Sequence, residues 1–546
     1  MFKIIPIGGI GEIGMNMILL NSGGDSIVID CGVLFPPFQH LGIDTVIPDY
    51  KEFCEKFRNV KAFFITHGHE DHVGGIPYLL KHTTPKIYAT QYASEVIKSR
   101  CRNVLGKDFK LNMHVVKFGD KIREGNFTVE YIEVDHSIPD SSALFIKTPE
   151  TNILYVADFR LLGKNKNSFL NKIREIKEKY KIDILLSDST NAHETGESVS
   201  EQDVLTHLDS YFKQAKKKII VTLFSSNISR INQIISLSKK YGKSLFISGS
   251  NLKNHLNIAR SLGYMEPDNG CIRPDSEIPK TSEEDIVLIC TGSQAEKNSS
   301  IVRLSHGIHN HIKVNKDDLV IFSSSQIPGN EKIIMEAINR LAEKGAQIVY
   351  SGDYGVHCSG HANRRELKEL MHNVQPKFFV PMHGEHIHLK YHVGIAVEEG
   401  VPEKNCFILK NGDELLYDGG EAKIRTLHKF NRCYVDAVTG ELIDDLVVKE
   451  REIVAESGLV TVTLVVDTKG QLAVRPQLLP YGLSKSSNVN TLLYNIEDKI
   501  LVFYKKKPKT EHVAKSVQEI KSMVKREFRK VYDNKPEVVI NIIGLE

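Results

Sequence analysis

The chain has 546 residues, of which 41% are apolar and 25% charged, and its formal net charge is +3 at pH 7. This length predicts two to four domains, and the mixture is that of a folded globular protein rather than a disordered one. The small net charge excludes a chain that binds nucleic acid through a uniformly basic surface, so any basic surface must be local.

The opening residues, MFKIIPIGGIGEIGMNMILL, lack the basic start and the clean apolar stretch of a secretory signal, because two glycines and Glu12 interrupt them. No stretch approaches the ~20 apolar residues that span a membrane. The eight cysteines are scattered and form no C-x-x-C pair, which is typical of a reducing compartment. We therefore expect a cytoplasmic protein that does not enter a membrane.

Short apolar runs bounded by polar residues recur along the chain and predict buried strands. They lie at 62–66, 153–158, 182–189, 219–226, 245–250, 286–293, 319–325, 347–353 and 377–384. Helical spacing appears between several of them, for example over 330–346. Strands that alternate with helices indicate an α/β architecture, in which ligands bind beyond the carboxyl ends of the strands.

The pattern changes after about residue 445. Apolar runs at 459–467, 499–506 and 536–545 predict further strands, and a helix with apolar residues at helical spacing is expected over 513–531. This part of the chain therefore predicts a small α+β domain. Its lysines and arginines fit a solvated helix face better than a phosphate-binding one.

The segment THGHEDHVGG, residues 66–75, holds four side chains that can bind a metal: His67, His69, Asp71 and His72. It directly follows a predicted strand, and alternate residues of an extended segment face the same way, so His67 and His69 can reach one ion. Asp71 and His72 can then turn toward a second ion. A lone histidine is usually structural, but four such residues at H-x-H-x-D-H spacing predict a metal site.

This motif resembles that of the metallo-β-lactamase superfamily, and the resemblance implies further site residues. His136 in EVDHSIPDS matches the next histidine ligand, and Asp158 in LYVADFR matches the aspartate that bridges two metals. Ala157 departs mildly from the glycine usual before that aspartate. Asp30 in IVIDCG matches an aspartate at a strand end that supports the site without necessarily binding metal.

Three later segments resemble the motifs of the β-CASP nucleases: SDSTN (187–191), HCSGHA (357–362) and PMHGEHIHLK (381–390). A simple hydrolase of the superfamily would be complete near residue 250, whereas this chain inserts roughly 150 residues before the histidine-rich motifs resume. The resemblance makes Asp188 the acidic residue of the first motif, His361 the histidine of the second and His383 that of the third.

Taken with GGIGEIGMN (8–16), TGSQ (291–294) and SSSQIPGNE (323–331), these motifs resemble the ribonuclease J family over nearly the whole chain. The family implies a metallo-β-lactamase αββα sandwich, an inserted α/β β-CASP domain and a small C-terminal α+β domain. The metallo-β-lactamase domain is expected in two parts, a first part over 1–195 and a return with the nuclease motifs over 351–440. The β-CASP insert is expected over 196–350 and the C-terminal domain over 447–546. HETGES after SDSTNA and the residue Cys358 depart from the family pattern without removing a ligand.

The same resemblance implies the chemistry. Two divalent ions are expected, zinc being favoured and manganese the alternative. One ion would be bound by His67, His69 and His136, and the other by Asp71, His72 and His383. Asp158 would be a ligand of both ions. His361 is the candidate general acid, oriented by Asp188. The residues expected to bind a substrate 5′-phosphate are Ser225, Ser226, Asn227, His357, Ser359 and His361.

The family further implies a homodimer or homotetramer that degrades single-stranded RNA in RNA maturation and decay. It is expected to remove nucleotides in the 5′-to-3′ direction from monophosphorylated ends, and internal cutting of the RNA is a second expected activity. Three other interpretations compete with it. They are a DNA-processing β-CASP nuclease, a small-molecule metallo-hydrolase, which leaves the insert unexplained, and an RNA-binding scaffold without activity, which leaves the intact ligand set unexplained.

Overall fold

The computed structural model describes the chain except residues 37–41, 197–198, 328, 351–354, 427, 469–470, 485, 507–512, 533–534 and 546. The chain forms two compact units, a larger one of Met1–Pro37 and Thr45–Arg432 and a smaller one of Phe38–Asp44 and Cys433–Glu546. Among the helices of the described residues, none has the length and apolar character needed to cross a membrane.

The strands, numbered in chain order, have the following bounds: β1 (Phe2–Gly8), β2 (Met17–Ser22), β3 (Asp25–Ile29), β4 (Ile43–Pro48), β5 (Val60–Phe64), β6 (Lys86–Ala89), β7 (Asn112–Val115), β8 (Lys121–Glu124), β9 (Phe127–Glu133), β10 (Ser142–Lys147), β11 (Asn152–Val156), β12 (Ile184–Asp188), β13 (Ile219–Thr222), β14 (Ser244–Ser248), β15 (Ile286–Cys290), β16 (Leu319–Phe322), β17 (Gln347–Val349), β18 (Phe378–Met382), β19 (Asp413–Asp418), β20 (Glu421–Thr426), β21 (Arg432–Asp436), β22 (Leu442–Ile443), β23 (Leu459–Val466), β24 (Gln477–Tyr481) and β25 (Glu537–Gly544).

The helices have the following bounds: α1 (Tyr50–Lys56), α2 (Glu70–Val73), α3 (Ile76–Leu79), α4 (Gln91–Leu105), α5 (Lys166–Lys179), α6 (Glu201–Gln214), α7 (Ile228–Lys240), α8 (Ser250–Ser261), α9 (Ser300–Ser305), α10 (Glu331–Glu343), α11 (Arg364–Val374), α12 (His386–Glu398), α13 (Asp445–Ser457), α14 (Ser487–Lys506) and α15 (Val513–Val531).

Two sheets of the larger unit pack face to face. One has the strand order β20-β19-β1-β2-β3-β5-β6-β7 and the other β18-β12-β11-β10-β9-β8. Apolar side chains from both sheets, such as Ile29 and Phe64 from the first and Tyr155 and Val380 from the second, form one buried core. The outer face of the second sheet is covered by α5, α11 and α12. The predicted αββα sandwich is confirmed.

A third sheet is formed by residues 219–349 within the larger unit. Its order is β14-β15-β13-β16-β17, and every pairing in it is parallel. The chain runs from β13 outward to β14, returns to β15 and then crosses to β16 on the other side. The direction of the crossover therefore reverses between β13 and β16, which is where α/β sheets commonly bind ligands.

The nine runs predicted as strands between 62 and 384 form β5 and β11 to β18, although residues 351–353 of one run lie outside the described residues. The helix expected over 330–346 is α10. The α/β prediction is therefore confirmed element by element, because continuous apolar runs of this length form strands that are buried on both faces.

The smaller unit has a sheet of order β24-β23-β25, and α14 and α15 contribute to a common core with it. The predicted α+β character is confirmed, but the strand expected over 499–506 is wrong, because those residues are the last turns of α14. Ile496, Ile500 and Tyr504 are buried at helical spacing, whereas Val502 is 49% exposed. Because the apolar residues of this segment are contiguous in the sequence, the helical spacing of the buried ones was not apparent.

Candidate active site

The candidate site lies where several strands of the sandwich end. Asp30 follows β3, His67 follows β5, His136 follows β9, Asp158 follows β11, Asp188 ends β12 and His383 follows β18. Because β3 runs parallel to β5, and β11 to both β12 and β18, these carboxyl ends share one edge of their sheets. The fold therefore gathers side chains that are more than 350 residues apart in the sequence.

The first group of candidate ligands consists of His67, His69, His136 and Asp158, whose ligand atoms all lie within 4.8 Å of one another. His69 Nδ1 is 3.1 Å from His67 Nε2 and 3.0 Å from His136 Nε2. Asp158 Oδ2 is 3.5 Å from both of those Nε2 atoms. Three imidazole nitrogens and one carboxylate oxygen that converge in this way form a four-ligand set suited to zinc.

The second group consists of Asp71, His72, Asp158 and His383, which meet the same 4.8 Å limit. His72 Nε2 is 3.3 Å from Asp158 Oδ1, and His383 Nε2 is 3.1 Å from Asp71 Oδ2. Asp158 thus presents Oδ2 to the first group and Oδ1 to the second. Within the described part of the chain, the buried Oδ1 atom accepts no hydrogen bond, so the residues fit a bound cation there.

The two groups differ in their electrostatics. Burial lowers the pKa of His67, His69 and His136, to about 3 for His136, so these three rings are neutral. Burial also opposes the charging of His72 and His383, but the neighbouring aspartates, Asp158 foremost, raise the pKa of both, to about 10 for His383. The second group therefore carries protons that a cation would have to displace.

Asp30 lies behind both groups, fully buried and with a left-handed φ of 60°. Its Oδ2 accepts a hydrogen bond from His72 Nδ1 at 2.8 Å, and its Oδ1 accepts one from the Thr66 backbone N–H at 2.8 Å. Thr66 Oγ1 is in turn 3.0 Å from His67 Nδ1. One carboxylate therefore orients a candidate ligand of each group, as carboxylates behind metal-binding histidines commonly do.

A third set joins Asp188 to His361 and His383. Asp188 Oδ2 is 2.9 Å from His361 Nδ1, and Asp188 Oδ1 is 3.2 Å from His383 Nδ1. Burial opposes the charging of His361, but the carboxylates of Asp188 and Asp158 raise its pKa. His361 Nε2 lies 3.9 Å from Asp158 Oδ2 and so faces the ligand groups.

Sequence reasoning missed three polar residues that touch this site. Asn16 Nδ2 is 3.1 Å from His72 Nε2, Thr190 Oγ1 is 2.7 Å from His383 Nδ1, and Asn191 Nδ2 donates to Ser359 Oγ at 2.7 Å. All three lie inside segments that the resemblance singled out, GGIGEIGMN and SDSTN. Their position in those segments was the available signal, since amides and hydroxyls carry no metal-ligand pattern of their own.

The residues expected to bind the substrate have different surroundings. Ser226 Oγ is 3.1 Å from His69 Nε2, so Ser226 borders the first ligand group. Asn227 Oδ1 accepts from Arg230 N at 3.0 Å and caps α7, which is a structural role. Ser225 is half-buried at the start of the same turn.

His357 has two buried ring nitrogens, and neither finds a hydrogen-bond partner among the described residues. Burial, reinforced by the charge of Arg230, lowers the pKa of His357 to about 3. Arg230 itself is fully buried and donates to Ser323 Oγ and to the Val356 carbonyl. Arg230 Nη2 also pairs with Glu201 Oε2 at 3.0 Å, so its charge is balanced by a carboxylate, and the two ring nitrogens of His357 are what this position offers a ligand.

Two glycines allow the close approaches that this site needs. A Cβ on Gly32 would lie 1.6 Å from the Asp71 carbonyl oxygen, and one on Gly360 would lie 2.6 Å from His136 Cε1. The Gly360 carbonyl accepts a hydrogen bond from His136 Nδ1 at 2.7 Å, which leaves Nε2 turned toward the first group. A side chain at either position would displace a candidate ligand.

Comparison with known proteins places these features in a family. The models described as "Ribonuclease J, beta-CASP domain", "Zn-dependent metallo-hydrolase RNA specificity domain" and "Ribonuclease J C-terminal domain" match residues 216–341, 353–409 and 446–545. A model described as "Anti-Pycsar protein Apyc1" matches residues 12–248. A protein of unknown function from Enterococcus faecalis has a similar fold, with a TM-score of 0.54 at 18% identity over 76% of this chain and 99% of that one.

Relatives in bacteria extend the similarity along the chain. A ribonuclease J of Helicobacter pylori is 35% identical over 509 residues, which cover 92% of this chain and 73% of the relative. Ribonuclease J of Mycoplasma genitalium is 32% identical over 506 residues, covering 90% and 87%, and ribonuclease J2 of Bacillus subtilis is 30% identical over 486 residues, covering 88% and 87%. The chain therefore belongs to the ribonuclease J family of metal-dependent ribonucleases.

Proposed function

We propose that the chain uses two divalent ions to hydrolyse phosphodiester bonds of single-stranded RNA. We propose further that it removes nucleotides from a 5′-monophosphorylated end in the 5′-to-3′ direction. The observation that carries the proposal is Asp158, whose two carboxylate oxygens face two different ligand groups. A carboxylate placed between two such groups is typical of two-metal hydrolases.

The charge of the site supports two ions rather than one. Four aspartates, Asp30, Asp71, Asp158 and Asp188, contact the histidines of the site, and three of them are nearly inaccessible to solvent. Once the histidines bind as neutral ligands, these four carboxylates would balance the charge of two dications. Bound there, the ions would lower the pKa of a water molecule and neutralise charge on the phosphate oxygens.

The donor atoms favour zinc. The first group supplies three imidazoles that burial keeps neutral, and neutral imidazole is a preferred zinc ligand. The second group supplies more carboxylate, and carboxylates acting on phosphate also admit manganese. We therefore propose zinc, with manganese as the alternative.

His361 is positioned to act as the general acid. Its Nδ1–H donates to Asp188 Oδ2 at 2.9 Å, which leaves Nε2 directed toward Asp158 and the ligand groups. The aspartates raise its pKa against the effect of burial, which favours the protonated ring that a general acid needs. A proton at Nε2 can pass to the ribose oxygen that leaves when the phosphodiester bond breaks.

The 5′-phosphate would bind where the crossover direction of the third sheet reverses. Ser226 follows β13 at that point and also borders the first ligand group, so the pocket would be next to the reacting phosphate. Ser359 Oγ accepts from Asn191 Nδ2 and from His361 N, at 2.7 and 3.1 Å. With both lone pairs engaged, its hydroxyl proton can be donated to a phosphate oxygen. His357, whose ring nitrogens have no hydrogen-bond partner among the described residues, would complete the pocket.

A gel assay tests the substrate proposal. RNA labelled at its 3′ end and carrying a 5′-monophosphate, a triphosphate or a hydroxyl is incubated with the protein and Zn²⁺ or Mn²⁺, beside a DNA strand of matched sequence. Rapid conversion of the monophosphorylated RNA alone to mononucleotides is the expected result. Equal internal cutting of all RNAs would contradict the 5′ pocket, and preferential cutting of DNA would favour the DNA-processing alternative.

The chain binds RNA as a member of its family, and we propose that it does so in the cytoplasm as a homodimer or homotetramer. Assembly is supported by the smaller unit, where β23 and its neighbours bury one face against α14 and α15. The other face exposes apolar side chains, including Leu479 at 51%, Tyr481 at 56% and Val539 at 47%. Light scattering on a protein that lacks 447–546 should show a smaller assembly, and an unchanged one would contradict this role.

A further inference from the structure

The hydroxyl of Thr190 lies between two residues of the candidate site. Thr190 Oγ1 is 2.7 Å from Asp188 Oδ1, 2.7 Å from His383 Nδ1 and 3.1 Å from the His383 carbonyl oxygen. The Thr190 backbone N–H also donates to Asp188 Oδ1 at 2.9 Å. We propose that Thr190 is a positioning residue that fixes the tautomer of His383 and thereby the affinity of the second ligand group for its ion.

The hydrogen atoms around Thr190 can be assigned by elimination. Asp188 Oδ1, as a carboxylate oxygen, and the His383 carbonyl oxygen can only accept hydrogen bonds. The single hydroxyl proton of Thr190 must therefore go to one of these two oxygens. In either case a lone pair of Oγ1 faces His383 Nδ1, so this nitrogen must carry a hydrogen and donate it.

The opposite tautomer would be unfavourable at two contacts. If Nδ1 carried no hydrogen, its lone pair would face Asp188 Oδ1 at 3.2 Å without a proton between them. The Thr190 hydroxyl would then have to turn toward Nδ1, leaving its 2.7 Å contact with Asp188 Oδ1 unbonded. The arrangement therefore keeps a hydrogen on Nδ1, so the proton that His383 gives up to a bound ion comes from Nε2, the atom that lies 3.1 Å from Asp71 Oδ2.

The choice of His383 tautomer affects the histidines of the second ligand group and not those of the first. The Thr190 hydroxyl contacts Asp188 and His383, whereas His67 is oriented by Thr66, His136 by the Gly360 carbonyl, and His69 contacts Ser226. The backbone adds a constraint, because His383 adopts a left-handed φ of 50° that the Thr190 contact to its carbonyl helps to hold. Loss of a partner behind a metal ligand typically weakens metal binding by about 10- to 100-fold.

The inference rests on the proposed function, since it requires an ion at the second group. The test titrates Zn²⁺ into metal-free full-length protein by calorimetry. Thr190→Val keeps the shape of the side chain but removes the hydroxyl. We expect one of two binding events to weaken by about 10- to 100-fold while the other is unchanged, and Thr190→Ser to restore both.

Thr206 provides a matched control, because it lies on the exposed face of α6 and its hydroxyl donates to the Gln202 carbonyl. Thr206→Val should bind both ions as the unmodified protein does. His383→Ala separates the two possible failures. If it loses an ion while Thr190→Val binds normally, or if Thr190→Ser is as weak as Thr190→Val, the role of Thr190 is overturned. If His383→Ala keeps both affinities, the ligand assignment fails as well.

Discussion

The two ligand groups share Asp158 but prepare their histidines in opposite ways. In the first group, burial keeps His67, His69 and His136 neutral, and their nitrogens are ready to bind a cation. In the second, carboxylates keep protons on His72 and His383. A cation can therefore enter the first group without displacing a proton, whereas the second group exchanges protons for its ion.

The largest effect should come from the residue that the two groups share. Asp158→Ala removes one ligand from each group, so we expect RNA cleavage to fall by about a thousandfold or more, or roughly 4 kcal/mol in activation free energy. Binding of RNA, measured by fluorescence anisotropy, should change little, because the pocket around His357 is untouched. Cleavage at the unmodified rate would contradict the assignment of Asp158 to either group.

Two single variants test the ligand groups separately. His136→Ala removes a ligand of the first group and His383→Ala one of the second, and neither residue belongs to the other group. Each variant should lose about one bound ion per chain, measured by plasma mass spectrometry after gel filtration, and most of its activity. Loss of both ions in either variant would show that the groups do not bind independently.

The sequence predicted the parts of the site that are local. Four candidate ligands lie within six residues after β5, and their spacing alone indicated metal binding. His136, Asp158 and His383 carry no such pattern, because the fold rather than the chain brings them together. They were found through the family resemblance, and the strands predicted at 153–158 and 377–384, which carry Asp158 and His383, are observed as β11 and β18.

The remaining features depend on three-dimensional contacts that no local pattern encodes. The role of Thr190 follows from the position of His383, almost two hundred residues away in the sequence. Asn227, expected to bind substrate, has its side-chain oxygen engaged as a helix cap, and its binding role stays a prediction. The strand expected over 499–506 is helical because only every fourth residue is buried, which a list of apolar letters does not reveal.

A smaller effect should follow from Asp30, which supports both groups without being a candidate ligand of either. Asp30→Asn keeps the shape but replaces a charged acceptor with an amide, so His72 and Thr66 lose a charge-assisted hydrogen bond. We expect the affinity for Zn²⁺ to fall by about 10- to 100-fold at both groups. A loss confined to the second group would mean that the contact through Thr66 does not orient His67.

The contrast in protonation itself can be measured through the pH dependence of metal binding. The pKa of His383 is raised to about 10, so the ring is protonated at neutral pH and must release a proton to bind an ion. The affinity of the second group should therefore rise by about tenfold per pH unit for each proton displaced, until the pH reaches the pKa. The pKa of His136 is about 3, so the first group has no such proton to lose.

Calorimetry in buffers with different ionisation enthalpies would count the protons released at about pH 6, 7 and 8. We expect one binding event to release at least one proton and to strengthen with pH, while the other releases almost none. His383→Ala should remove the proton-releasing event, and His136→Ala should leave it in place. If both events released the same number of protons, the two groups would not differ in the way that their surroundings indicate, and burial would not be what keeps the first group ready for its ion.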